Sequence, residues 1–320
     1  MLYYNKLLYY NIFMTNKIQT YLLTLFFLVF SLISSANAEV KVVTSIKPIH
    51  SLVSYIMDGV GKPDVIVDGY NSPHGFSLKP SHAKMLENAD LVIWVGEDLE
   101  AFLEKPLQTI AKKAKNIELM DLKGIKKLEF REKNIFEEHD DHKEKDGHEG
   151  HGHGEHDPHV WLDPINAKVI IKEITNQLVQ LDSKNSSIYK SNAKKALTDI
   201  DKLVKDIKKE LNKDLRFVVF HDAYQYFENR FDIQVLGALT VNTDVMPGAE
   251  QLSKIREVIE HEKVNCLFSE PQFNPAIIKS IAKDTNVKIG ILDPLGASLD
   301  KGKNLYFDLI KNMASSFKGC

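Results

Sequence analysis

The residues from His139 to Trp161 read HDDHKEKDGHEGHGHGEHDPHVW and hold seven of the chain's twelve histidines, at 139, 142, 148, 151, 153, 156 and 159. Imidazole nitrogens and carboxylate oxygens are donors that borderline metals such as zinc accept. This density points to a metal interaction, and by itself it leaves storage, transport and chemistry open. Between the histidines lie Asp, Glu, Lys and Gly with almost nothing apolar. Such a segment cannot bury enough surface to offset its ordering entropy, so a mobile loop is expected over 137–157. Asp157-Pro158-His159-Val160-Trp161-Leu162-Asp163-Pro164 then returns bulky apolar residues between two prolines. His159 is therefore expected to be anchored. His139, His142, His148, His151, His153 and His156 are expected to be tethered accessory ligands.

Further candidate ligands sit where strands should end. Short β-branched runs alternate with helical spacing along the chain, the pattern of parallel sheets covered by helices. Strands are expected at 40–44, 65–67, 91–95, 117–119, 217–220, 234–238, 266–269 and 288–292. Helices are expected at 49–57, 81–89, 101–113, 166–181, 223–230, 249–260 and 275–284. Ligands of open α/β sheets bind outside the carboxyl ends of strands. His221 follows Phe217-Val218-Val219-Phe220, Glu270 follows Cys266 to Ser269, Asp293 follows Ile289-Gly290-Ile291-Leu292, and His74 lies in the loop after Val65 to Val67. Three histidines and one carboxylate suffice for a tetrahedral zinc site. His50, in an apparent helix start, and His82, after a capping serine, are expected at the surface or behind the ligands. His261 is expected in solvent.

The stretch 186–212 has Ile188, Ala196, Ile200, Leu203, Ile207 and Leu211 at helical spacing and contains neither Gly nor Pro. A helix of that length spans on the order of 40 Å, and its narrow apolar stripe suits a strut along two lobes. The expected architecture is α/β: two lobes with mostly parallel sheets joined by one long helix, with a metal site in the cleft between them. The N-terminal lobe is placed at 39–185, the linking helix at 186–212 and the C-terminal lobe at 213–320. No repeat between the lobes is visible in the residues.

The first 38 residues are read as a signal peptide. Lys17 supplies charge, Tyr21 to Ile33 is an apolar run too short for a comfortable membrane span, and Ala36-Asn37-Ala38 is a small-x-small cleavage site. Cleavage after Ala38 is expected, with Met1 or Met14 as the start, and an uncleaved anchor is the alternative. The leader carries two lysines and no acid, so the 282-residue remainder has 39 basic and 44 acidic residues and a net charge of −5. That balance disfavours nucleic acid and anionic membranes as partners. An exported chain meets an oxidising compartment, where Cys266 and Cys320 either pair or remain free thiols.

The chain resembles the solute-binding proteins of metal-ion ABC importers, in particular their zinc-specific, ZnuA-like periplasmic group. The resemblance spans the mature chain. It rests on Pro73-His74-Gly75-Phe76-Ser77-Leu78-Lys79-Pro80-Ser81, Ala89-Asp90-Leu91-Val92-Ile93-Trp94-Val95-Gly96, Asp157-Pro158-His159-Val160-Trp161, Phe220-His221-Asp222-Ala223-Tyr224, Ser269-Glu270-Pro271-Gln272-Phe273 and Leu292-Asp293-Pro294-Leu295-Gly296. It implies a periplasmic, monomeric protein that binds Zn2+ and delivers it to the membrane permease of an ABC zinc importer. It also implies that His74, His159 and His221 are the ligands and that Asp293 is the closing carboxylate, with water as the alternative. Some zinc members carry a Glu before the first histidine, but Pro73 stands there in this chain. Manganese-type relatives carry a Glu where His221 stands, and an imidazole there suits zinc better. A disulfide matching Cys266–Cys320 is implied as well. Glu270 either orients a ligand histidine from behind or faces the permease. The rival readings are a manganese or iron importer component, a periplasmic metal buffer and a zinc hydrolase, although no His-Glu-x-x-His motif is present.

Overall fold

Short β-branched and aliphatic runs pair into two sheets, each strand joined to the next through a helix. The computed structural model describes residues 14, 39–131, 133–135, 155–212, 215–241, 243 and 247–320. The expected leader and cleavage site, and the accessory histidines His139, His142, His148, His151 and His153, lie outside the described residues. In the first sheet β1 (Val42–Ile46), β2 (Asp64–Val67), β3 (Leu91–Trp94) and β4 (Lys115–Glu118) run parallel in the order β2-β1-β3-β4. In the second, β5 (Arg216–His221), β6 (Gln234–Thr240), β7 (Cys266–Ser269) and β8 (Lys288–Ile291) run parallel in the order β6-β5-β7-β8. The two orders are the same, so the lobes repeat a topology without repeating residues. The order reverses direction at β1/β3 and at β5/β7, which are the crevices where such sheets take ligands.

The crossovers are helical because parallel neighbours need a long return. Helices α1 (Lys47–Ile56), α2 (Pro80–Glu87) and α3 (Glu97–Thr109) serve the first lobe. Helices α6 (Gln225–Phe231), α7 (Ala249–His261) and α8 (Ala276–Thr285) serve the second. Between the sheets in sequence come α4 (Pro164–Leu181) and the 25-residue α5 (Ser186–Glu210), which joins the lobes. Helix α4 starts on a proline at its first position, with the Asp163 side chain accepting from the Ile165 amide, an N-cap that supplies one of the missing acceptors of a helix start.

Several elements differ from their expected form. Helix α2 begins at Pro80 rather than Ser81, because proline suits the first helical position. His82 is buried there, and its Nδ1 accepts from the Lys79 amide. His50 is also buried, with Nε2 on the Pro63 carbonyl at 3.1 Å. Both are buried, which removes the surface alternative, and each ring holds a backbone group of the chain beside its helix. The buried stripe of α5 is Tyr189, Ala193, Ala196, Ile200, Leu203 and Ile207, and Ile188 faces outward at 37% exposure. A final helix, α9 (Leu305–Lys318), had no counterpart in the sequence reading. Its Phe317 ring stands 4.9, 5.5 and 5.2 Å from Phe217, Phe227 and Phe268. Cys320 closes a disulfide to Cys266 at the start of β7.

One apolar cluster runs continuously from β1 and α1 through Trp161 and α5 to Phe217, Phe268 and α9. The lobes are thus two sheets built on a shared core. Among the described residues no helix is long and apolar enough to cross a membrane.

Candidate metal centre

His221 is the last residue of β5, so its position is set by a strand buried on both sides. His159 is fixed by the turn before a short helical segment, Val160–Leu162, whose three side chains are fully buried. The Trp161 indole beside it donates to the Pro294 carbonyl at 2.8 Å. His74 hangs on the loop after β2, where Gly75 takes a positive φ of 66° and the His74 amide donates to Ser72 Oγ. Folding brings one nitrogen of each of the three rings within 4.8 Å of the others. Their ring centroids are 5.3 to 5.8 Å apart.

The separation of His159 Nε2 from His221 Nε2 is 3.4 Å. Two nitrogens each ~2.0–2.1 Å from a tetrahedral zinc would lie roughly 3.3 Å apart. The pair already has the edge length of such a site. The cavity the rings share with Trp161, Phe273, Pro294 and Leu295 is about 10 Å³, close to the roughly 10–15 Å³ that one water-sized sphere needs. A space of that order suits a single ion.

Behind two of the rings stands a carboxylate. Glu270, just after β7, places Oε1 2.7 Å from His221 Nδ1, and the residue is 3% exposed. Asp157 Oδ1 accepts from His159 Nδ1 at 2.7 Å and from the His159 amide at 2.9 Å. A ring nitrogen that donates backwards leaves the lone pair of the other nitrogen facing forwards. His74 Nε2 is buried without a hydrogen-bond partner, which leaves its lone pair for the centre.

The electrostatics divide the three rings. Burial, and then the charges of the two neighbouring imidazoles, push His74 well below its ordinary value. Burial and then His221 do the same to His159. For His221 burial acts downward too, but Glu270, with Asp222 and Asp157 behind it, outweighs burial and the net shift is upward. Burial raises the Asp157 carboxyl above its ordinary value. Two neutral imidazoles and a third held against a carboxylate form a nitrogen-rich donor set that suits zinc.

Asp293 stands apart from this cluster. Its Oδ1 accepts from Gln272 Nε2 at 2.9 Å and from the Leu295 amide at 3.2 Å. His156 lies at the base of the histidine-rich segment, where it forms an antiparallel bridge with Glu129. The sequence reading gave no role to Asp157. The signal was present, since an acid two residues before an anchored histidine can reach back to its ring. Arg131 was missed as well; its guanidinium pairs with Asp222 at 3.0 Å and Glu228 at 2.9 Å, and no local pattern marks such a long-range partner.

The model of the ZnuA family, zinc-uptake complex component A, periplasmic, matches residues 42–320. The high-affinity zinc uptake system protein ZnuA of Brucella abortus (strain 2308) is 42% identical over 311 residues, covering 90% of this chain and 93% of that protein. Its counterpart in Yersinia pestis is 38% identical over 293 residues, covering 88% and 92%. A crystal structure of ZnuA superposes with a TM-score of 0.74 at 23% identity, over 88% of this chain and 99% of that one, and shares the fold. With both sheets inside the matched region, the chain belongs to the ZnuA family of periplasmic zinc-uptake components.

Proposed function

We propose that this protein captures zinc in the periplasm and delivers it to the membrane permease of an ABC importer. The observation that carries the reading is the convergence of His74, His159 and His221 on a space of ionic size. In this reading the three histidines are the zinc ligands, and Asp293 or a water takes the fourth position. Asp293 would reach the ion by releasing Gln272. Glu270 holds His221 from behind. The histidines at 139, 142, 148, 151, 153 and 156 act as accessory ligands that raise the local zinc concentration beside His159. The role in this reading is transport, not catalysis.

The lobes in this proposal are 39–185 and 213–320, with 186–212 as the linking helix. Residues 1–38 act as the export signal and are removed after Ala38. The protein then works as a monomer that docks on the permease.

The test is a chelator-competition titration of zinc on the chain from Glu39, with and without residues 139–154. This deletion keeps Glu155 and His156, which belong to the base of the segment. One tight site surviving the deletion is the expected result. Loss of all tight binding would locate the zinc in the histidine run and replace the importer reading with metal buffering.

A further inference from the structure

The two carboxylates behind the ligand rings are held in different ways. Glu270 and His221 sit at the ends of paired strands, β7 and β5, so both belong to one sheet. Asp157 belongs to a stem in which Leu128 to Phe130 run beside Glu155 to Asp157. The Asp157 amide donates to the Leu128 carbonyl at 2.9 Å, and the Phe130 amide to the Glu155 carbonyl at 3.3 Å. What fastens this stem comes from α6, in the second lobe. The Tyr226 hydroxyl accepts from the Leu128 amide at 3.0 Å and donates to the Asp157 carbonyl at 2.7 Å, so one oxygen joins both sides of the stem. Next to it, Gln225 Nε2 donates to the Glu129 carbonyl at 3.1 Å and reaches Asp157 Oδ2 at 3.5 Å.

We infer that Asp157 is the positioning residue for His159, and that the second lobe aims this ligand by clamping the Asp157 stem through Tyr226. The inference rests on the zinc reading above and deepens it. An imidazole on a turn can rotate about its ring bond and exchange the proton between its nitrogens. The double acceptance by Asp157 Oδ1, from the ring and from the amide of the same residue, stops both. The proton stays on Nδ1, and Nε2 keeps its lone pair and its 3.4 Å separation from His221 Nε2. Tyr226 carries the correct placement of α6 into the aim of the ring. His159, a ligand from the first lobe, is thereby set in register with His221, a ligand from the second.

The experiment uses the chain from Glu39 with Asp157→Asn, Tyr226→Phe and, for comparison, Glu270→Gln. Zinc affinity is read by chelator competition, and the His159 ring by nitrogen-15 spectra of the zinc-free protein. Asp157→Asn is expected to weaken zinc binding by on the order of 10–100-fold and to turn His159 from a single Nδ1-protonated form into a tautomer mixture. Glu270→Gln is expected to leave the His159 ring signals unchanged while altering those of His221. Tyr226→Phe removes one hydroxyl, and it should shift the His159 spectrum in the same sense with a smaller loss of affinity. Wild-type affinity or a wild-type His159 spectrum in Asp157→Asn overturns the inference. If that variant does not fold, the same two readouts on Tyr226→Phe decide it. Absence of zinc binding by the unsubstituted chain would sink the transport reading instead, and the spectra would still judge the Asp157–His159 pairing.

Discussion

Single residues in this protein carry charge in places where charge is costly, and pH exposes them. Glu100 is fully buried. Burial raises its carboxyl to about 7, against an ordinary value of 4.5, even though the Val95 amide donates to it at 2.7 Å. Because the folded-state value lies above the unfolded one, the folded chain holds this proton more tightly. The associated stability is complete below about pH 4.5 and is lost as pH rises to about 7. A shift of that size corresponds to about 3 kcal/mol. Glu118, raised to about 7 by burial and then by Asp121, acts in the same direction. Replacing Glu100 with Gln keeps the acceptor and removes the charge. Urea midpoints of the zinc-free chain should then fall less between pH 5 and pH 7.5 in the variant than in the parent. Equal slopes would mean that Glu100 is ionised without penalty in the folded state.

At the scale of elements, α9 is the piece whose removal should matter most for its length. It inserts Phe317 among three phenylalanines, and its first turn reaches α1 through the Tyr306 amide on Ser51 Oγ at 2.9 Å. The Tyr306 hydroxyl donates to the Trp161 carbonyl at 2.8 Å, two residues from His159. The Cys266–Cys320 bridge, across 54 positions, holds the end of this helix to β7. In the loop-entropy account such a closure contributes about 4 kcal/mol by constraining the unfolded chain. Cys320→Ser in the chain with Cys266→Ser should therefore lower stability toward denaturant by up to that amount. Zinc affinity should change little, because the packing that supports Trp161 is noncovalent. A large loss of affinity at unchanged stability would show that the bridge acts on the site directly.

For the whole molecule, the question is how far the lobes move. Beyond α5, they are fastened near the cleft by Lys47 Nζ on the Ala297 and Leu299 carbonyls at 3.1 and 2.7 Å. Arg230 adds a two-pronged pair with Asp163, both contacts at 2.7 Å. Trp161 on Pro294, Tyr226 on Asp157 and Arg131 on Asp222 and Glu228 are among the further contacts that join them. Wide hinge opening would break most of these contacts together, so zinc should bind with small shifts of the lobes. Solution scattering should give the same radius of gyration with and without zinc; a clear contraction would show a hinge that these contacts do not restrain. The site should also report on stability. A ligand held only by the folded state at a thousand times its dissociation constant contributes about 4 kcal/mol. Zinc should raise the melting midpoint by on the order of 10 °C for a chain of this size, and chelator should reverse it.

Much of this was legible in the residues because it is local. A β-branched run bounded by turns makes a buried strand wherever it stands, and a histidine closing such a run emerges at the carboxyl end of the sheet. His221 could be singled out on that ground, His74 by its loop after a strand and His159 by the apolar residues that follow it, as could the α/β class and the long helix. Position in the sequence could not show which acids serve which rings. Asp293 and Glu270 each follow a strand, yet of the two Glu270 is the one that meets a clustered histidine, because β7 lies beside β5 in the sheet while β8 lies beyond it. The missed helix α9 had a legible apolar spacing in Leu305, Leu309, Ile310, Met313 and Phe317, but the role of that helix, closing the shared core, needed both sheets in place. The repeated strand order is likewise a property of pairing, to which many residue patterns lead. The sequence alone thus determined the kinds of ligand and the elements that end in them, since propensity and periodicity act over a few residues. Tertiary structure alone decided that three nitrogens converge, that one space is the size of an ion, and that Asp157 and Tyr226 stand behind His159, since those depend on distances between residues far apart in the chain.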